Sequence, residues 1–113
     1  MPVDRSELLS HLHRTRFAPG DVAGARRDAQ RIAAYLQDAF GAEVWGIGSV
    51  FEALRDFRTG SDIDLVAKGI PAARFLDALA TAEGMTTFDL DLIPWERANE
   101  LVREIVRESG VRL

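Results

Sequence analysis

Two short stretches of this chain alternate acidic and apolar residues, Ser61-Asp62-Ile63-Asp64-Leu65-Val66 and Phe88-Asp89-Leu90-Asp91-Leu92-Ile93, and this pattern constrains the fold more than any other feature. A period of two is the mark of an extended strand, whose successive side chains point to opposite faces. Asp62 and Asp64 therefore share one face, with Cα atoms roughly 7 Å apart by strand rise, while Ile63 and Leu65 occupy the other. Asp89 and Asp91 likewise share a face opposite Leu90 and Leu92. Asp is depleted in strands, so four of them in two short strands use sheet positions poorly unless the acids have a role. One reading is an edge strand with its acids on the wet side. The other makes the two strands neighbours, so that three or four carboxylates converge. Such a cluster is strongly destabilising when empty and is most simply explained as a divalent metal site. Oxygen ligands of this type suit hard ions, and Mg²⁺ keeps several waters while being held by one or two carboxylates and substrate phosphates.

The strands are interleaved with helices. Between Asp21 and Phe40 the residues Val22, Ala25, Ala29, Ile32, Ala33, Leu36 and Phe40 recur at helical spacing, with Arg26, Arg27, Arg31 and Asp38 on other faces. Ahead of it, Ser6 to Arg14 supports a shorter helix that ends before Pro19-Gly20. After Gly41, Glu43-Val44-Trp45-Gly46-Ile47 reads as a buried strand ended by Gly48-Ser49, and a second strand follows over Asp62 to Ala67. Pro71 suits the first position of a helix bearing Ala72, Phe75, Leu76, Leu79 and Ala80 on one face and ending at Gly84. A third strand, Thr86 to Ile93, leads past Pro94 into a last helix with Ala98, Leu101, Val102, Ile105 and Val106 in phase and a stop at Gly110. The predicted order is α-α-β-β-α-β-α, an α/β (α+β) arrangement of a small mixed sheet covered by helices.

Length and composition bound the function classes. A chain of 113 residues with 47% hydrophobic residues has the size of one domain, expected over 1–113, and the means to bury a core without disulfides. No cysteine is present, which excludes a disulfide framework and a thiolate zinc site. Met1 to Ser10 carries acids and no long apolar run, so neither a secretory signal nor a membrane span is expected, and a cytoplasmic setting is. The net charge of −4 argues against dedicated nucleic-acid binding, which relies on a basic surface.

Gly48-Ser49 gains meaning from its position. A glycine at a strand end lets the backbone approach a ligand closely, and a following serine offers a hydroxyl and an N–H to a phosphate oxygen. Placed ahead of Ser-Asp-Ile-Asp-Leu, it sets a phosphate-gripping loop beside a metal-binding strand. Arg55 and Arg58 are either solvated loop cations or further phosphate contacts. His11 and His13 do not share a helix face and are not expected to bind one metal. Trp45 is expected in the core, Trp95 in helix-to-sheet packing, and the Arg16, Arg26, Arg27 and Arg31 group on a wet helical face.

Gly48-Ser49, then Ser61-Asp62-Ile63-Asp64-Leu65, then Asp91-Leu92-Ile93-Pro94-Trp95, taken together, resemble the successive motifs of the nucleotidyltransferase superfamily, specifically its minimal bacterial and archaeal members. The likeness covers about Val44 to Leu113. It implies the nucleotidyltransferase fold, with residues 43–113 as catalytic core and 1–40 as N-terminal helices. It further implies two Mg²⁺ ions held by Asp62, Asp64 and Asp91, a triphosphate held at Gly48, Ser49 and Ser61, and ATP as the favoured nucleotide. Asp91 is assigned the third carboxylate because Leu90, Leu92 and Trp95 fit the family register, with Asp89 as fallback. Where many members carry a small residue and an Arg-Gly pair after Gly-Ser, this chain has Val50-Phe51-Glu52-Ala53-Leu54. At this length the chain is not expected to include the extra domain with which larger relatives select an acceptor. In the minimal branch the acceptor is commonly a tyrosine of a HEPN-type ribonuclease toxin encoded alongside, which receives AMP and is silenced. The resemblance thus implies a protein-AMPylating antitoxin. A non-catalytic module of the same fold that neutralises its partner by contact is the alternative, and a metal-dependent phosphohydrolase lacks a recognisable water-positioning residue.

Overall fold

The computed structural model describes residues 21–48, 51 and 62–113. Helix α1 spans Asp21–Phe40, as its periodicity predicts. It buries Ala25, Ala29, Ile32, Ala33 and Leu36, and the three alanines let it lie close on the sheet. Val22, in phase with that stripe, is exposed near the helix start. Gly41 ends the helix at φ 66, a left-handed conformation that favours glycine, and its N–H reaches Gln37 O at 2.8 Å.

Four strands form one mixed sheet in the order β3-β2-β1-β4. Strands β1 (Glu43–Ile47) and β2 (Ile63–Lys68) are antiparallel, β3 (Leu90–Pro94) is parallel to β2, and β4 (Val111–Arg112) is antiparallel to β1. Helix α2 (Phe75–Glu83) makes the crossover between β2 and β3, and helix α3 (Glu100–Ser109) leads to β4. The described elements therefore run α-β-β-α-β-α-β, a mixed α and β architecture with helices on both sheet faces. Alternation along the strands explains the two layers. Val44, Ile63, Leu65, Ala67 and Leu92 point toward α1 and α2, where Phe75, Ala78 and Ala82 complete the larger core. Ile47 and Val66 point the other way and pack with Ile105 and Val106 of α3.

Several boundaries differ from the sequence reading. The third strand starts at Leu90 rather than Thr86, because Thr86 is engaged outside the ladder: its Oγ1 donates to Asp28 Oδ2 at 2.7 Å and accepts from Phe88 N at 3.1 Å. Such side-chain bonds compete with a ladder. Pro71 precedes a 3-10 turn, Ala72–Arg74, and the α-helix proper begins at Phe75. Past Pro94 the chain makes a second 3-10 turn, Trp95–Arg97, and Ala98 is extended rather than helical. Helix α3 starts only after Asn99, whose Oδ1 accepts from Val102 N at 2.9 Å as an N-cap. Strand β4 beyond Gly110 was not anticipated; two residues carry too little period to be read. The short helix expected over Ser6 to Arg14 lies outside the described residues. Among the described residues, no helix is long and apolar enough to cross a membrane.

Candidate functional site

The register of the sheet gathers three chain segments at one end. Ile47, the last residue of β1, pairs with Asp64, and Asp64 in turn pairs with Asp91 on β3. Because β2 and β3 are parallel, these partners project from the same face, the one on which Ile47 and Val66 meet α3. Gly48 follows directly, buried and at φ 87, a conformation open to glycine and strained for other residues. The arrangement thus brings Gly48, Asp64 and Asp91 into one neighbourhood, with Asp62 and Asp89 just ahead of their strands.

Strand β2 is not a wet edge. It lies between β1 and β3, and Asp62 and Asp64 are only 2% and 3% exposed. The edge position belongs to β3, whose Asp91 is half-buried, while Asp89 before it is exposed. Carboxylates held this far from water are costly unless hydrogen bonds or positive charge compensate them. Part of the compensation at Asp62 is visible: Oδ2 accepts from Asp89 N at 3.2 Å. The Asp89 carbonyl accepts in return from Asp62 N at 3.1 Å and Ile63 N at 2.9 Å. Asp62 therefore stitches the heads of β2 and β3 together, a structural use the sequence did not disclose.

Both faces of the sheet are covered by apolar side chains. On one, Phe51 packs against the larger core and lies over Gly46, with its N–H donating to Gly48 O at 3.1 Å. On the other, Trp95 and Trp45 meet at 5.7 Å between ring centroids and border the cluster built on Ile47 and Val66. Trp45 is half-buried rather than a full core residue, with Arg112 of β4 over its ring at 5.3 Å. Trp95 takes part in helix-to-sheet packing as expected. Arg103 of α3 stacks on its ring at 5.2 Å and donates to its carbonyl through Nε and Nη2 at 3.2 and 3.0 Å.

Comparison of the chain with known protein families gave no match, and comparison with curated proteins gave none. The chemistry of the site therefore rests on its own residues. Among the described residues, no group of three or more His, Cys, Asp or Glu side chains is disposed to hold a metal ion. The fit of a metal is judged on the pair that the register does create. Asp64 and Asp91 offer hard oxygen donors from Cα positions about 5 Å apart, the spacing of adjacent strands. A pair of carboxylates suits Mg²⁺, which completes its shell with water and phosphate oxygens.

Ser49 and Ser61, Arg55 and Arg58, His11 and His13, and Arg16 lie outside the described residues. Arg26, Arg27 and Arg31 are exposed on α1, and Arg31 lies 3.7 Å from Asp28. Two participants were missed by sequence reasoning: Phe51, which covers Gly46, and Glu96, whose carboxylate takes the N–H of Gly69.

Proposed function

We propose that this chain is a Mg²⁺-dependent nucleotidyltransferase domain that moves AMP from ATP to a hydroxyl of a partner protein. The observation that carries the reading is the Asp64–Asp91 pair, one member almost fully buried in a central strand and the other beside it at the sheet edge, next to the glycine that closes β1. The order of Gly48-Ser49, Ser61-Asp62-Ile63-Asp64 and Asp91 along the chain, in which the reading finds its family resemblance, agrees with that placement.

In this reaction the acceptor oxygen attacks the α-phosphorus, the bond from that phosphorus to the bridging oxygen breaks, and pyrophosphate leaves. Asp64 and Asp91, with Asp62 beside them, are the residues that would hold the divalent ions. When bound, the ions supply charge neutralisation at the triphosphate and lower the pKa of the attacking hydroxyl. Asp91, the less enclosed of the pair, takes the proton from the acceptor. Gly48, with no side chain to obstruct approach, and Ser49 and Ser61 orient the phosphates. The favoured acceptor is a tyrosine of a HEPN-type toxin, so that AMP transfer silences the partner and the chain acts as a cytoplasmic antitoxin.

A second reading, a module that neutralises its partner by contact without transfer, draws on two observations. No three-ligand group is present among the described residues, and an apolar Phe51 follows the loop where the family pattern has Arg-Gly. Incubation with α-labelled ATP, Mg²⁺ and the protein encoded beside it in the genome separates the two. Transfer of label that is lost in Asp64→Ala supports the enzyme. Tight complex formation with no label on the partner, in wild type and variant alike, rejects it in favour of the binding module.

A further inference from the structure

Parallel pairs are held by slanted bonds and are slightly weaker per residue than antiparallel ones, so a two-strand parallel edge benefits from ties outside the ladder. The β2–β3 pair has such ties at both ends, and both are built the same way. At the head, Asp62 Oδ2 accepts from the backbone N–H of Asp89 at 3.2 Å, a separation of 27 residues. At the tail, Glu96 Oε2 accepts from the backbone N–H of Gly69 at 2.9 Å, again 27 residues apart. That offset is also the register of the ladder between them, in which Ile63 faces Leu90, Asp64 faces Asp91 and Ala67 faces Pro94. Each carboxylate therefore grips the backbone of its own register partner. Gly69 sits at φ 107, where the chain turns away from the sheet and its N–H has left the ladder.

We propose that Glu96 is a positioning residue for the Asp64–Asp91 pair, acting as the far bolt that fixes the register of β3 on β2. A slip of one residue would turn Asp91 to the opposite face, among Leu65 and Leu92, and separate it from Asp64. The 3-10 turn that carries Glu96 is itself held, because Arg103 donates to the carbonyls of Trp95 at 3.0 Å and Glu96 at 3.3 Å. Helix α3 thereby anchors the bolt, and the bolt anchors the strand. The functional consequence rests on the metal reading of the carboxylates, whereas the register effect stands without it.

The test uses the full chain and three variants. Glu96→Gln keeps both reach and an acceptor oxygen, Glu96→Asp keeps charge but loses reach, and Glu96→Ala loses both. Amide hydrogen exchange across β2 and β3 is expected to quicken about tenfold in Glu96→Ala and Glu96→Asp, the scale of one lost charge-assisted bond, and to stay within about twofold of wild type in Glu96→Gln. Mn²⁺ affinity, measured on the same samples, follows the same order. If Glu96→Ala does not fold, the contrast between Asp and Gln decides. Exchange in Glu96→Asp equal to wild type overturns the proposal. Wild-type protein that binds no Mn²⁺, with exchange still ordered as expected, rejects the metal reading and leaves the bolt standing.

Discussion

Gly46 lies beneath the ring of Phe51, so closely that a Cβ built at position 46 would stand 2.5 Å from Phe51 Cε2. The bare backbone of a central strand thus forms the seat for the first described residue after Gly48. Gly46→Ala is expected to destabilise the fold by about 1–3 kcal/mol through overpacking, against the usual small gain from removing a glycine. Urea unfolding checks the magnitude. In Gly46→Ala/Phe51→Ala the two losses should fall short of their sum, because the clash disappears with the ring. Strict additivity would show that the ring escapes at no cost.

Asp64 and Asp91 face each other across parallel strands, and a divalent ion held between them would bind only the folded chain. Magnesium at a hundredfold excess over its dissociation constant should stabilise wild type by about 2.7 kcal/mol. Thermal melts with and without Mg²⁺ should show that increment, and Asp64→Asn and Asp91→Asn should each abolish most of it. An equal magnesium response in all three proteins places the ion elsewhere.

Asn99 caps α3 through its bond to Val102 N at 2.9 Å. Asn99→Ala removes that acceptor and should cost about 1 kcal/mol, lowering the melting midpoint by about 4 °C. Asn99→Ser and Asn99→Asp should recover most of the loss. A midpoint unchanged in the alanine variant shows that water replaces the cap.

On the exposed flank of α3, Arg107 donates to Glu100 at 2.9 Å and to Glu104 at 3.3 Å. The hydrogen bond from Arg107, then its charge, hold the Glu100 carboxyl below the ordinary glutamate range, and Arg107 is raised in turn. A depressed carboxyl means that the unfolded chain binds more protons than the folded one. Its contribution is therefore present above the unfolded glutamate pKa and is lost as pH falls through the lowered folded value. Both groups are exposed, so salt screens the effect. Carboxyl titration by NMR should show Glu100 moving up toward the ordinary range in Arg107→Ala and in high salt; a midpoint indifferent to both rules out the pair.

Much of this was legible because it follows from local periodicity. The stripe of Ala25, Ala29, Ile32 and Leu36 identified α1, and the alternation about Ile63 and Leu65 identified β2 with its acids on one face and its core residues on the other. Helix and strand ends were less legible, since they are set by partners distant in sequence. Thr86 leaves the third strand for Asp28, fifty-eight residues away, and Arg103 holds the turn at Trp95 that delays α3. The site divided in the same way. The two acid pairs and Gly48 were visible as residue types, whereas the bonds of Asp62 to Asp89 and of Glu96 to Gly69 were not.

Which residues share a face follows from local order alone, because strand and helix geometry impose a period on every side chain regardless of context. That β2 is central with β3 as its parallel neighbour, and so that Asp64 is enclosed while Asp91 is half open, depends on long-range assembly. Strand order and register arise from contacts between residues far apart along the chain, whose joint burial no local pattern encodes.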